Sequence, residues 1–215
     1  MPSQLPLFPL HTVLFPGALL PLHIFEPRYR RLLADVAAND HRFGVLPPGE
    51  DDGLPAPGAI GCVARIRGVQ SLPDGRSNIV VSGEHRFRYL GPAATDSPYG
   101  QGLVERVDDV PDVQIPNHAD TARLHVLATR YAAALESRND QSLERNFSTD
   151  PAVLSFEAAA LLEWEFEDLQ RMLECRSATE RVARLLHALP ALVHAAEQHA
   201  LIHGRAKQNG HGALR

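Results

Sequence analysis

Lysine is almost missing from this chain. Of its 21 basic residues only Lys207 is a lysine, so chemistry that needs an amine nucleophile rests on one residue near the C-terminal end. Cysteine is nearly as scarce. Cys62 and Cys175 stand far apart, and no C-x-x-C or zinc-type spacing can be assembled from them. Cys62 lies in an alternating apolar pattern and reads as a small buried hydrophobe, Cys175 likewise, and no disulfide is expected. Aromatic residues make up only 6%, little for a stacking platform on nucleic acid. Long apolar runs are absent too. The longest is broken by Pro16 and Pro21, far short of the ~20 residues of a membrane span. The first residues lack a basic segment and carry Pro2, Pro6 and Pro9 where a signal peptide would be helical, so a cytoplasmic protein with no membrane partner is expected. Nor is there a basic excess. The net charge is −5, and residues 1–112 carry 13 acids against 10 arginines, which disfavours nucleic acid as a general partner.

What is present divides near residues 108–118. Before that point, short apolar runs alternate with Gly, Pro and Asp, the pattern of strands and turns. Ile60, Cys62, Ala64 and Ile66 alternate with Gly61, Val63, Arg65 and Arg67, which predicts a half-buried strand with a wetter arginine face. Asp74-Gly75 predicts a hairpin turn. Ile79-Val80-Val81 follows, then Phe87 and Tyr89 alternating with Arg86 and Arg88, and Leu103, Val104 and Val107 mark a last strand. One helix interrupts the strands: Pro27 suits a first helical position, Tyr29, Leu32, Leu33 and Val36 share a face, and Asn39-Asp40 ends it. The expectation is a small, partly closed antiparallel barrel over 1–112.

Residues 113–203 predict a helical bundle. Leu124, Leu127, Tyr131 and Leu135 form one stripe, and Val153, Phe156, Ala160 and Trp164 the next. Asp150-Pro151 reads as a cap followed by a first-turn proline, and Ser177-Ala178-Thr179-Glu180 as a capping box. Pro190 should kink or split the last long run. Residues 204–215 read as a frayed tail.

Several residues invite a functional reading. Glu26-Pro27-Arg28-Tyr29 either holds a helix start, with Glu26 at the positive end of the helix dipole, or lines a peptide groove; the architectural reading is favoured. Arg65, Arg67, Arg76, Arg86 and Arg88 surround one hairpin and form either a stripe for RNA or a solvated face balanced by nearby acids, the latter favoured. His199 and His203 are one helical turn apart, a spacing that suits two metal ligands, but no third ligand stands in register and no H-E-x-x-H occurs, so no metal and no cofactor are expected.

Several motifs, in order, resemble the Lon protease N-terminal (substrate-binding) domain family. They begin with Leu5-Pro6-Leu7-Phe8-Pro9-Leu10, Val13-Leu14-Phe15-Pro16-Gly17 and Leu20-Pro21-Leu22-His23-Ile24-Phe25-Glu26-Pro27-Arg28-Tyr29. Phe43-Gly44-Val45 is similar to the strand after the family's first helix. Gly61-Cys62-Val63-Ala64-Arg65-Ile66, Leu72-Pro73-Asp74-Gly75-Arg76 and Ile79-Val80-Val81-Ser82-Gly83-Glu84-His85-Arg86-Phe87 resemble its central hairpin. Glu180-Arg181-Val182-Ala183-Arg184-Leu185-Leu186 resembles a helix of its helical part. The resemblance runs over roughly residues 4–200. It implies an α+β fold, a PUA-like β-barrel with one inserted helix followed by a C-terminal helical bundle. It also implies a stand-alone recognition module without the ATPase and protease of full Lon proteases. No G-x-x-x-x-G-K-[S/T] occurs, and a Ser–Lys dyad has no partner but Lys207, so no catalysis is expected. The implied partners are client proteins or unfolded peptides, and a protease. Phe25, Glu26, Arg28, Tyr29 and Phe87 are the expected peptide contacts, and Arg65, Arg67, Arg86 and Arg88 the alternative set for an RNA- or nucleotide-binding module.

Overall fold

A computed structural model describes residues 2–111, 116–139 and 146–210. Six strands and one helix come first: β1 (Ser3–Pro9), β2 (Leu19–Ile24), α1 (Pro27–Ala37), β3 (Arg42–Leu46), β4 (Ile60–Ser71), β5 (Ser77–Pro92) and β6 (Gln101–Val107). Four helices follow: α2 (His118–Asn139), α3 (Pro151–Ala159), α4 (Phe166–Glu174) and α5 (Ala178–Gly210). The chain divides into two compact units. One contains residues 1–110 and 163–176, the other 111–162 and 177–215.

The first unit is an α+β barrel closed by one long strand. β5 runs 16 residues, enough to serve two partners on the same edge. Its first half pairs with β2 and its second half with β6, while β4 lies along its other edge. The sheet order β2-β5-β4-β3-β1-β6, with β6 returning to β5, closes the ring and leaves β2 outside it. Of its pairings, β1–β3 is parallel, so the barrel is not wholly antiparallel as the turns alone had suggested. The return from β1 to β3 runs through β2 and α1, the kind of crossover a parallel pair needs. Between its two partners β5 meets the Phe15-Pro16 segment. Pro16 bridges to Gly83, where a Cβ would collide with the carbonyl oxygen of Phe15.

The hairpin turns at Asp74-Gly75 as expected, with Gly75 at φ +80°. α1 buries Tyr29, Leu32, Leu33 and Val36, the face read from spacing, against Phe8, Phe43 and Val81. A second cluster, including Leu7, Val63, Phe87 and Tyr89, fills the ring at the other side. Each large aliphatic or aromatic side chain taken from water there contributes roughly 1.5–3 kcal/mol. Val63 is thus core rather than wet, because a closed ring has cores on both sides of β4. Cys62 is fully buried, and burial pushes its thiol up to about 12.

α4 belongs to this barrel unit, not to the bundle. Two side chains hold it. Gln170 donates to the carbonyl of Ile60 at 2.9 Å. Arg86, only 3% exposed, donates to the carbonyls of Leu173 and Cys175, each at 2.8 Å, and to Asp109. Strand alternation placed Arg86 outward; it does point away from the ring, but α4 covers it. The boundary read from the change of period falls close to where the first unit's main segment ends, but period alone says nothing of a segment that returns.

The second unit packs α2, α3 and α5 together through Leu124, Tyr131, Leu154, Leu185, Leu189 and Val193. Asp150 caps α3, accepting from the backbone of Ala152 and Val153, and Ser177 accepts from the Glu180 backbone at 3.0 Å. α3 ends at Ala159, so Trp164 lies past it, and Val153 is exposed where Leu154 is buried. Pro190 does not split α5, which runs unbroken from Ala178 to Gly210. Residues 204–210 of the expected tail fall within that backbone helix, and 211–215 lie outside the described residues. No helix of the described residues is long and apolar enough to cross a membrane.

Candidate functional site

β2, β5 and β4 form a three-stranded ribbon whose inner face belongs to the core. Leu20, Leu22 and Ile24 turn inward with Ile79 and Val81. The opposite phase of β2 carries Leu19, Pro21 and His23, and Phe25 follows in step. Those outward positions are apolar apart from His23, where a half-solvated antiparallel sheet ordinarily places polar residues. Leu19 is 67% exposed and Phe25 59%.

Register sets what stands beside them. Pro21 pairs with Val80, and Val80 with Gly68 on β4. His23 pairs with Asn78, and Asn78 with Gln70. The result is an open groove of about 500 Å³ among Pro21, His23, Gly68, Gln70, Asn78 and Val80. Gly68 is its floor, and a Cβ there would meet nothing within 4 Å. A polar row closes one end. His23 Nδ1 and Asn78 Oδ1 are 2.7 Å apart, and Asn78 donates to Gln70 at 3.4 Å. Phe25 stacks on His23, with ring centroids 6.0 Å apart, and extends the apolar surface past that row.

At the other end stands Arg67. The register slips between Ile66 and Gly68, and Arg67 is the extra residue of that bulge. Its Nε donates to Ser82 Oγ at 2.7 Å, and Ser82 pairs with Leu19. The guanidinium therefore lies beside the Leu19 row, and among the described residues it has no carboxylate partner. Arg30, laid over the hairpin turn at Gly75, has none either. The segments around the groove, residues 19–31 and 65–82, hold six arginines (28, 30, 31, 65, 67 and 76) and two acids (26 and 74).

The expected site residues scatter. Phe25 is on this face. Glu26 is the cap residue of α1 and pairs with Arg28 at 2.8 Å, while the Arg28 guanidinium lies 4.5 Å over the Tyr29 ring. Tyr29 is itself buried against Phe8, ring centroids 4.0 Å apart, and burial raises its pKa. Phe87 is 1% exposed inside the ring, in the cluster that does not include Tyr29. The four arginines do not form a stripe. Arg65 pairs with Glu84 at 3.2 Å and Arg88 with Glu105 at 3.3 Å, Arg86 is buried under α4, and Arg67 alone stands on the groove. On α5, Glu197 pairs with Arg130, and among the described residues no group of three metal-ligating side chains forms.

Leu19, Pro21, Gly68 and Val80 were missed. A signal for β2 was in the chain: from Leu19 to Phe25 both phases are apolar apart from His23, which a strand with one wet face does not need.

Comparison with known proteins bears on this geometry. The family described as the ATP-dependent protease La (LON) substrate-binding domain matches residues 4–190. The crystal structure of a Lon N-terminal domain protein from Xanthomonas campestris superposes with a TM-score of 0.64 at 29% identity, covering 86% of this chain and 98% of that one. The N-terminal domain of a Lon protease from the Mycobacterium avium complex has the same fold, with a TM-score of 0.62 at 20% identity, covering 87% and 98%. The Lon protease of Cytophaga hutchinsonii is 25% identical over 203 residues, 87% of this chain and 24% of that protein. That of Anaeromyxobacter dehalogenans is 28% identical over 198 residues, 88% of this chain and 23% of that protein. The chain thus spans about a quarter of the length of these relatives.

Proposed function

This chain belongs to the Lon substrate-binding domain family, and we propose that it is a recognition module that holds exposed apolar segments of client proteins without breaking a bond. The observation that carries this reading is the outward apolar face of β2 and β5, where Pro21 and Val80 stand beside the open floor at Gly68 and the exposed Leu19 and Phe25 continue the apolar surface along β2. An exposed apolar patch with a polar rim is the ordinary form of a surface that meets another chain. The groove is open and shallow, which suits a side chain of an extended polypeptide better than an enclosed small molecule. Catalysis, where it follows, would be the work of a protease partner, and the setting would be the cytoplasm.

The test is equilibrium binding of an end-labelled, permanently unfolded protein, read by anisotropy. Gly68→Val adds bulk to the floor at a position where a Cβ meets nothing within 4 Å, and Val80→Asp puts a charge on the groove wall. Each should weaken binding about tenfold or more while leaving the thermal midpoint nearly unchanged. Unchanged affinity in both variants would place the client elsewhere.

A further inference from the structure

We infer that the groove selects client segments in which a bulky apolar side chain and a carboxylate stand two residues apart, the carboxylate meeting Arg67. This rests on the recognition reading above and adds a chemical class to it. The argument begins with charge. Of the six arginines in residues 19–31 and 65–82, Arg28, Arg31, Arg65 and Arg76 each have a carboxylate partner, and among the described residues Arg30 and Arg67 have none. Glu26 is taken by Arg28, Asp74 by Arg76, and Glu84 by Arg42 and Arg65. Arg67 keeps no acidic partner among the described residues, and its one hydrogen bond, to Ser82, leaves the outer guanidinium nitrogens for a ligand. A planar guanidinium matches a carboxylate two-pronged, a geometry an ammonium cannot copy.

Spacing comes next. The apolar floor lies at the Gly68–Val80 pair, and Ser82 stands two residues along β5 from Val80. Two residues of strand span roughly 6.6 Å, and an extended ligand repeats its side chains on one face at the same interval. A residue seated over Gly68 therefore places its second neighbour beside Arg67. Pro21 bears on how the ligand lies. β2 is the outer strand of the ribbon, and Pro21 offers no N–H to a strand added at its edge. The ligand is thus held across the face by side chains, not as a further strand of the sheet.

The experiment uses the full chain and three end-labelled probes. Two are twelve-residue polar peptides carrying Phe and, two positions on, either Asp or Asn. The third is a single-stranded oligouridylate of similar length. Wild type should bind the Asp peptide about two- to fivefold more tightly than the Asn peptide. Arg67→Gln should abolish that preference, Arg67→Lys should keep part of it, and 0.5 M salt should erase it. Equal binding of the two peptides by wild type, unaltered in Arg67→Gln, would overturn the acidic selectivity and leave the groove standing. Binding of neither peptide, with unfolded protein still bound and still sensitive to Gly68→Val, would overturn the selectivity alone. Arg67-dependent binding of oligouridylate in place of both peptides would overturn it in favour of RNA. Coincident melting curves for the variants separate lost contacts from lost folding.

Discussion

Charge on this protein is decided residue by residue. Glu84 shows how. Burial would raise its pKa, but hydrogen bonds and charge from Arg42, at 2.7 Å, and Arg65, at 3.2 Å, outweigh burial and lower it from 4.5. A lowered folded-state pKa means stability that is present above the unfolded value and lost as pH falls through the folded one. Glu84→Gln should therefore cost about 1 kcal/mol at pH 7, a few degrees of Tm. The gap between wild type and variant should narrow as pH falls below 4.5 and Glu84 takes up its proton. Melting at pH 7, 5, 4 and 3 checks this, and a constant gap across that series would mean the pair is not electrostatic. Arg86 and Arg67 make the same point by contrast. They sit on neighbouring strands and look alike in sequence. One is closed over by the carbonyls of Leu173 and Cys175, and the other is left without an acid.

At the level of elements, β2 carries the most consequence for its length. Its inward phase closes the core, its outward phase forms the groove wall, and its outer edge is unpaired among the described residues. Edge strands invite other strands, and a proline is one of the standard guards. Pro21→Val restores the donor and adds a β-branched residue. It should promote self-association, read as an increase in weight-average mass with concentration in sedimentation equilibrium, where wild type stays constant. An equally constant mass for the variant would show that the edge is guarded by something other than Pro21. α1 was legible in full from Pro27 and the four apolar residues of one turn face, because a surface helix writes its burial in a single period. β4 was only half legible. Its phases both become core once the ring closes, and the bulge that frees Arg67 depends on the register of β5.

Over the whole molecule, the units do not follow the order of the chain. Residues 163–176 return to the barrel after the first two bundle helices have been laid down. A fragment ending at residue 112, the boundary suggested by the change of period, would lack α4. Arg86 would then lose two carbonyl acceptors and the cover that buries it, Ile60 would lose the Gln170 donor, and the apolar side chains of Met172 and Leu173, buried in the full chain, would be missing. Burying two side chains of that size contributes roughly 3–6 kcal/mol. The fragment should melt at least about 10 °C below the full chain or show no cooperative transition. Equal stability by circular dichroism would mean that α4 merely rests on the barrel.

The sequence by itself determined the α+β class, the helix starts at Pro27 and Asp150, the hairpin at Asp74-Gly75 and the family. Each of these is written locally, in a period, a cap or an ordered set of motifs. Of the residues named for binding, Phe25 came from the family motif and Arg67 from the arginine set, and these two lie on or beside this face. Only the tertiary structure decided that Phe87 and Tyr29 are core, that Arg86 is buried, and that Leu19, Pro21, Gly68 and Val80 share one surface. Those outcomes depend on which strands become neighbours across tens of residues and on which element returns to cover them. Spacing along the chain carries no record of either.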